Sequence, residues 1–295
     1  MICNADLISP HQPVIAWWSG GVTSAVTCKL CINWFGLENV RVVFIDTKNE
    51  DDDTYRFLKD CEKWYGLEIE IITSEKYTSI KEVWDKHLSL NVANGAICST
   101  MLKRRVREKF EKSNPFSFQA FGFEITEINR AKSMKMNYPK VKPIFPLIAE
   151  IIDKNQAIKI VQDAGLQVPY MYTLGYNNNN CFKTGCVQGG IGYWQKIKRE
   201  QPEKYDAMAL VEHELTDKKG LPVTMLKTQN KLVREHIFLK PHPAYPFAID
   251  LTMVKGREPK PLLECNGFCG INDLSEKNTT EDEINYGESI LGNTE

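Results

Sequence analysis

Hydrophobic and polar positions along the first quarter of the chain follow the periods of strands and helices in turn. Apolar runs of strand length are each followed by a segment with the helical period of 3.6 residues. The predicted elements are a strand at 14–18, a helix at 23–35, a strand at 40–45, a helix at 54–65 and a strand at 67–72. Gly36 and Gly66 are expected to end the two helices, and Asp53 to cap the second. This order favours a parallel sheet with helices on both faces, an α/β fold.

The rest of the chain continues this pattern less regularly. Further helices are predicted at 79–87, 101–111, 193–198 and 203–213, and further strands at 117–123 and 141–145. Asp153 and Gln156 have the spacing of a capping box for one more helix. The segment 168–194 is rich in Asn and Gly, which indicates an ordered loop.

Three regions are expected along the chain. Residues 1–195 hold the α/β domain, and 196–274 form a helical and loop extension that carries cysteines. Residues 275–295 are acidic and polar, so we expect this tail to be poorly ordered.

Composition narrows the class of protein. With 295 residues, of which 42% are hydrophobic, the chain can bury a full core. Its net charge of -1 gives no overall attraction to nucleic acid or membranes, so any nucleic-acid contact has to be local. We find neither a signal-like N-terminus nor a run of about eighteen apolar residues. We therefore expect a cytoplasmic protein without a membrane partner.

The first strand runs into the hydroxyl- and glycine-rich bend SGGVTS. After a strand and before a helix, such a bend brings backbone N–H groups and a helix N-terminus towards an anion. Gly20 and Gly21 let a phosphate approach the backbone, and Ser19 and Ser24 add hydroxyl donors. The bend lacks the GxxxxGK[ST] and GxGxxG patterns. A tight turn without a ligand is the alternative.

The second strand ends at Asp46 and Thr47. In a parallel sheet these residues lie beside the bend, where open α/β sheets bind ligands. Asp46 is suited to accept a hydrogen bond from a ribose hydroxyl or an adenine amino group, although an acid at this place can also cap its own loop.

The cysteines divide into two groups. Cys28, Cys31 and Cys61 lie among apolar residues of predicted helices, which favours a role as small core residues. Two close pairs instead lie among turn-forming residues, at Cys181 and Cys186 and at Cys265 and Cys269. Two such pairs can supply a four-thiolate site, and this ligand set suits zinc and a four-iron four-sulfur cluster equally.

At this point the motifs resemble a known family. SGGVTS is similar to the SGGxDS pyrophosphate loop of the N-type ATP pyrophosphatases, and the arrangement resembles the phosphoadenosine phosphosulfate (PAPS) reductase family. Further similarity lies in FIDT, in CSTMLKRRV and in GFEITEINRA. The resemblance implies an adenine nucleotide alpha hydrolase-like (Rossmann-like) core that binds ATP or a PAPS-like nucleotide, with magnesium as a companion ion.

The resemblance also implies roles for individual residues. Cys98, Lys103 and Arg130 match positions of chemistry or substrate clamping, while Thr23 and Glu127 match nucleotide-site positions. The basic run 103–112 is suited to a phosphorylated substrate or a nucleic-acid backbone, with a solvated helix face as the alternative. Lys103 to Arg105 would increase the thiolate fraction of Cys98 if they face it. Iron–sulfur relatives favour a cluster over zinc at the four cysteines.

Two departures from the family pattern bear on activity. Thr23 stands where the family has Asp, and LECNGFCG lacks the Gly-x-His that follows the C-terminal Cys of sulfonucleotide reductases. The resemblance therefore favours an enzyme that adenylates an acceptor and transfers sulfur, with a nucleic acid or a sulfur-donor protein as partner, over sulfonucleotide reduction. The alternative is a nucleotide-binding sensor or assembly subunit with reduced catalysis and a structural metal.

Overall fold

A five-stranded parallel sheet forms the centre of the computed structural model, which describes residues 12–92, 95–179, 181–228, 235–260 and 262. Within this part the strands are β1 (Val14–Trp18), β2 (Val40–Ile45), β3 (Glu70–Ile72), β4 (Asn91–Val92), β5 (Gly95–Ala96), β6 (Phe118–Ala120), β7 (Pro143–Ile144), β8 (Leu226–Lys227), β9 (His236–Phe238) and β10 (Ile249–Asp250). The central sheet has the order β3-β2-β1-β6-β7. β4 and β5 form a hairpin, and β8 to β10 a small second sheet.

Helices cover both faces of the central sheet. They are α1 (Val22–Phe35), α2 (Asp52–Tyr65), α3 (Ile80–His87), α4 (Ile97–Ser99), α5 (Arg105–Ser113), α6 (Ile128–Asn137), α7 (Pro146–Ala149), α8 (Lys154–Asp163), α9 (Tyr170–Thr173), α10 (Ile191–Glu200) and α11 (Pro202–Lys219). Apolar residues of α1, α2 and α8 pack on one face, and those of α5 and α6 on the other. The predicted α/β class is confirmed.

The strand order places a switch point beside β1. Val14 of β1 pairs with Val40 of β2 on one side and with Phe118 of β6 on the other. The chain thus moves outward from β1 to β3 and then returns to the opposite side of β1. In open α/β sheets the crevice at such a reversal, outside the carboxyl ends of the strands, is where ligands bind.

The helix caps follow local chemistry, with one correction. Asp51 caps α2, because its carboxylate accepts a hydrogen bond from Asp53 N at 3.0 Å. Asp53, the predicted cap, instead pairs with Arg56 at 2.5 Å inside the first turn. The predicted capping box of Asp153 and Gln156 is present at the start of α8.

A third hydrophobic core lies outside the central sheet. It packs α3 and the β4–β5 hairpin against α10, α11 and the small sheet. Residue 195, where we expect a domain boundary, lies inside α10, and this core continues across it. The expected tail at 275–295 lies outside the described residues. In the described part, no helix combines the length and apolarity that a membrane crossing requires.

Candidate functional site

The bend after β1 has the backbone geometry of an anion-binding turn. Gly20 has φ +88°, a value that favours glycine, and a Cβ there would lie 2.8 Å from the Thr54 Cγ2 atom. Gly21 precedes the first turn of α1 in extended conformation and has no side chain with which to cap it. The first turn contains no acidic residue. The positive end of the α1 dipole is therefore directed at the bend without a protein anion of its own.

The hydroxyl groups of the bend hold its shape. Ser24 Oγ accepts from Ser19 N at 3.0 Å and donates to Gly21 O at 2.9 Å, and the Ser19 hydroxyl donates to it at 3.0 Å. Ser24 is buried, as is its neighbour Thr23. The predicted role of both serines as direct phosphate donors is thus accompanied by an internal role: they close the turn.

Gly122 brings the end of β6 against this bend. A Cβ on Gly122 would lie 2.8 Å from Ser24 N, 2.9 Å from Ser24 Cα and 3.1 Å from the Thr23 carbonyl carbon. All three neighbours are backbone atoms, so only glycine allows this approach. The contact joins the two strands that flank the switch point, β1 and β6, on the side where a ligand would enter.

Asp46 at the end of β2 organises its own loop. Its Oδ1 atom accepts from Lys48 N at 2.7 Å and from the Tyr55 hydroxyl at 2.9 Å. Burial and the neighbouring Asp46 carboxylate raise the pKa of Tyr55, so this hydroxyl stays a donor. Both bonds end on the Oδ1 atom, so Asp46 caps its own loop, as the alternative prediction states, with one of its two carboxylate oxygens.

Thr47 and Lys103 meet on a buried carboxylate that we did not single out in the sequence. Thr47 Oγ1 donates to Glu50 Oε1 at 2.9 Å, and Lys103 Nζ lies 3.7 Å from the same oxygen. All three residues are at most 5% exposed. A π-helical stretch at Thr100–Arg104 carries Lys103 into this position. Two predicted site residues from distant parts of the chain are thus brought together.

Cys98 lies in the short helix α4 and is half-buried against the third core. The cations that we expected to surround it have acidic partners. Lys103 faces Glu50, while Arg104 and Arg105 lie 2.9 and 3.5 Å from the Glu108 carboxylate. Each of these three cations therefore also faces a carboxylate, and their effect on the Cys98 thiol stays a prediction.

Glu127 and Arg130, which we expected to hold substrate, are paired with each other. The Arg130 Nη1 and Glu127 Oε1 atoms lie 2.7 Å apart, and the guanidinium carbon lies 4.1 Å from the centre of the Phe123 ring. Arg130 is only 4% exposed. The pair follows Gly122 at the carboxyl end of β6, on the same edge as the bend.

The cysteine loop at 176–186 lies against the same edge. Asn179 Nδ2 donates to Gly20 O at 2.9 Å and to Thr54 Oγ1 at 3.0 Å. Two residues further, Cys181 Sγ lies 3.8 Å from Thr47 Oγ1. The structure therefore brings a half-buried thiol, which we had assigned only to a metal site, next to a predicted nucleotide-binding residue.

The backbone of Cys186 contacts the Tyr193 hydroxyl. Cys186 N donates to that oxygen at 3.0 Å, and burial together with the two neighbouring thiols raises the pKa of Tyr193 well above its usual value. The expected partner ligands Cys265 and Cys269 lie outside the described residues. Within residues 12–260, outside the gaps given above, no three His, Cys, Asp or Glu side chains form a metal-binding group.

The first segment of the chain is similar to a known protein family. Residues 13–122 match the family model of the phosphoadenosine phosphosulfate reductase domain. The match confirms the resemblance predicted from the motifs. It includes the bend, the β2 edge, Cys98, Lys103 and Gly122, and it ends before the Glu127–Arg130 pair and the cysteine loop.

One curated relative matches a longer part of the chain at low sequence identity. An uncharacterized protein of Methanocaldococcus jannaschii is 28% identical over 221 residues, which is 71% of this chain and 43% of that protein. The chain thus spans less than half the length of this curated relative.

Two solved structures have a similar course of the chain. A PAPS reductase from Candida auris, in a phosphate complex, is 17% identical with a TM-score of 0.44, covering 59% of this chain and 82% of its own. The U34-tRNA thiolase NcsA from Methanococcus maripaludis, with its [4Fe-4S] cluster, has the same identity and TM-score and covers 71% and 74%.

Two residues of the candidate site, Glu50 and Asn179, were not predicted from the sequence. Glu50 lies inside the matched segment 13–122, and Asn179 lies after it. Glu50 stands in the acidic run NEDDD and Asn179 in a run of four asparagines, so neither differs from its neighbours in the sequence. Their contacts distinguish them: Glu50 accepts from Thr47 Oγ1, and Asn179 donates to Gly20 O and Thr54 Oγ1.

The predicted core cysteines of the PAPS reductase domain are completely buried. Cys28, Cys31 and Cys61 pack between α1, α2 and the sheet. Burial raises the pKa of the Cys61 thiol to about 12, so this group stays protonated at neutral pH. These thiols are chemically protected, in contrast to the half-buried Cys98, Cys181 and Cys186.

Proposed function

We propose that this protein is an adenine-nucleotide-dependent enzyme that activates an acceptor with ATP and transfers sulfur to it. One observation carries the proposal: the Cys181 thiol lies 3.8 Å from Thr47 Oγ1, at the sheet edge that holds the SGGVTS bend. A phosphate-binding turn and an accessible thiol at one edge are what coupled adenylation and sulfur transfer require. The domain match at 13–122 supports the nucleotide half of this proposal.

The residues of the edge would act mainly through electrostatics. The phosphates of ATP would lie at the first turn of α1, where backbone N–H groups and the helix dipole stabilise the charge that develops on the leaving pyrophosphate. Lys103 and Arg130 now face Glu50 and Glu127. A triphosphate offers each cation a stronger anionic partner than a single carboxylate does, so both can turn to the nucleotide. Asp46 would accept a ribose hydroxyl or the adenine amino group, and magnesium would accompany the phosphates.

The proposed reaction balances without oxidation or reduction. An acceptor oxygen attacks the α-phosphorus of ATP, the bond from that phosphorus to the bridging oxygen breaks, and pyrophosphate leaves with the bonding electrons. A hydrosulfide ion from a sulfur donor then attacks the carbon that carries the adenylated oxygen. AMP leaves with the electrons of the C–O bond, one proton passes to solvent, and the acceptor keeps the sulfur.

The first test follows the release of AMP and pyrophosphate from ATP and magnesium. We expect nucleotide-dependent release that rises with acceptor, and a loss of about 100-fold in the Ser24→Ala variant, because that hydroxyl closes the bend. Ser113→Ala, at the far end of α5, is the matched control and should keep full activity.

The same assay separates the alternatives. Binding of ATP without any turnover would contradict the enzyme and favour the sensor, which Thr23 in place of Asp supports. In that case Thr23→Asp should gain release of pyrophosphate. Release of sulfite from a sulfonucleotide in the presence of a thiol reductant would instead favour sulfonucleotide reduction.

A metal at the cysteine loop fits the donor set. Cys181 and Cys186 are both half-buried, and Cys186 N donates to the Tyr193 hydroxyl at 3.0 Å. Leu262 lines a small cavity together with Tyr193. Cys265 follows Leu262 by three positions in the sequence. We propose that the two cysteine pairs hold one iron–sulfur cluster, with zinc as the alternative; a bound cluster would supply a centre with affinity for sulfur.

Metal analysis of anaerobically purified protein tests this site. We expect iron and acid-labile sulfide, and at least a tenfold loss of both in Cys181→Ala and in Cys186→Ala, because each removes a thiolate ligand. Cys61→Ala changes a buried thiol of another core and should keep the metal. Stoichiometric zinc without iron would identify the alternative, and four freely alkylated thiols without any metal would contradict a shared site.

A basic surface on α6 and the turn after it favours a nucleic acid as the acceptor. Between Ile128 and Ala149 the chain contains five cationic residues and no acidic one, although its net charge is -1. Lys132, Lys135, Lys140 and Lys142 are exposed, and none of them forms an ion pair with another described residue. α6 starts next to the Glu127–Arg130 pair, so this surface begins at the candidate site.

Salt-dependent binding of single-stranded RNA and DNA tests this acceptor. Changing the four lysines together to glutamate should weaken binding roughly 100-fold near physiological salt and lower the slope of log K against log salt by about 3, because phosphate neutralisation releases counterions. Changing Lys59, Lys81, Lys159 and Lys218 in the same way alters the net charge equally on other helices and serves as the control. Equal losses in both variants would contradict a specific surface.

A further inference from the structure

Asn179 is placed where it can control the shape of the nucleotide bend. Asn179 is 4% exposed, and its Nδ2 atom donates hydrogen bonds to Gly20 O and to Thr54 Oγ1. A backbone carbonyl can only accept, so the nitrogen of the amide must face Gly20. The partners belong to the bend and to the first turn of α2, and the Asn179 side chain links them.

The same loop has further contacts with the nucleotide edge. Lys183 N donates to Asn49 O at 3.3 Å, and the Asn49 side chain donates to Thr184 Oγ1 at 2.8 Å. Cys181 Sγ lies 3.8 Å from Thr47 Oγ1. Asn179, Cys181, Lys183 and Thr184 thus contact the bend, the first turn of α2 and the loop after β2. A displacement of Cys181 cannot leave all of these contacts unchanged, because buried and hydrogen-bonded groups do not move independently.

We propose that Asn179 is a positioning residue that couples occupancy of the nucleotide bend to the state of the Cys181 thiol. This inference rests on the proposed nucleotide site and adds a regulation to it. When a nucleotide fixes the bend, the Gly20 carbonyl holds Asn179 and with it Cys181 against Thr47. Linkage makes the effect reciprocal: a modified or ligated Cys181 changes the affinity for the nucleotide by the same factor.

Alkylation rates of the protein as purified, with its metal content measured in the same samples, test the coupling without reference to activity. Iodoacetamide labelling of each cysteine is followed by mass spectrometry with and without saturating ATP and magnesium, after binding of ATP has been measured separately. In the wild type we expect ATP to slow the labelling of Cys181 about fivefold or more, with no change at Cys98. In Asn179→Ala we expect ATP to bind about tenfold more weakly, because two hydrogen bonds of a buried group are lost.

The decisive comparison is made with ATP saturating for each variant. Asn179→Ala should then show no protection of Cys181, whereas Asn177→Ala, with an exposed side chain in the same loop, should behave as the wild type. Thr54→Val keeps the shape of its side chain but loses one acceptor, and should reduce the protection partly. This second variant keeps the test valid if Asn179→Ala does not fold.

The outcomes separate this inference from the proposed function. Binding of ATP without protection of Cys181 in the wild type overturns the coupling alone. Equal protection in wild type and Asn179→Ala also overturns it, because the nucleotide would then shield the thiol directly. A protein that binds no adenine nucleotide overturns the proposed function, and the coupling with it.

Discussion

Gly122→Ala is expected to lose nucleotide binding by about 100-fold or more and to lower the free energy of unfolding by about 1–3 kcal/mol. The added Cβ would lie 2.8 Å from Ser24 N and 3.1 Å from the Thr23 carbonyl carbon. Neither atom can rotate away, so β6 or the first turn of α1 has to shift. A shift of this turn moves the N–H groups that would contact the phosphates.

Two measurements separate the effects of this substitution. Equilibrium binding of a fluorescent ATP analogue reports the bend, and urea unfolding reports the fold. Gly256→Ala is the control, since a Cβ there has no heavy atom within 4 Å and the backbone is unstrained. If Gly122→Ala bound the nucleotide as the wild type does, the switch-point crevice would not be the binding site.

Glu212 is expected to make the stability of the protein fall as the pH rises from about 5 to about 8. The side chain is 0% exposed, and its two oxygens accept from Met225 N at 2.8 Å and Leu239 N at 2.7 Å. Burial raises the pKa of Glu212 from 4.5 to about 8, against the effect of these two N–H donors.

The sign follows from linkage. Because the pKa is higher in the folded than in the unfolded chain, the stabilising contribution is fully present below pH 4.5 and is lost as the pH rises through about 8. Each pH unit inside this window costs about 1.4 kcal/mol, so the loss between pH 5 and pH 8 approaches about 4 kcal/mol as an upper limit. Urea midpoints measured across this range report it.

Glu212→Gln is the matched variant for this effect, because it keeps the shape of the side chain and removes its titration. Burial lowers the pKa of His87 and of His236, so these histidines stabilise the fold towards higher pH and oppose Glu212. They titrate in both proteins and cancel in the difference. The advantage of the wild type over Glu212→Gln should shrink steadily from pH 5 to pH 8, and parallel curves would contradict the raised pKa.

Elements whose signal lies within a few residues could be predicted well. The strand at 14–18, the strand at 40–45 and the capping box at Asp153 agree with the structure, because periodicity and capping act over one to four positions. The predicted strand at 67–72 shortens to Glu70–Ile72, since pairing with β2 decides where a ladder ends. The cap of α2 was misplaced within an acidic run in which each residue can serve as a cap.

The candidate site was only partly predictable, because local sequence patterns do not show which side chains face each other. The motifs resemble the PAPS reductase family, and the family-model match over 13–122 confirms this resemblance. The resemblance could not show that Arg104 and Arg105 pair with Glu108, because side chains three and four positions apart on a helix also depend on rotamers and neighbours.

The sequence by itself determined the α/β pattern, the glycine-rich bend and the resemblance of the first segment to the PAPS reductase family, because each rests on residues that are neighbours along the chain. Tertiary structure alone decided that Asn179 contacts Gly20 and that Cys181 contacts Thr47, across 159 and 134 positions. Such contacts depend on how the loop packs on the finished sheet: Asn178 and Asn179 are both buried, but Asn178 accepts from Lys154 Nζ while Asn179 donates to Gly20 O. Local periodicity carries no information on that choice.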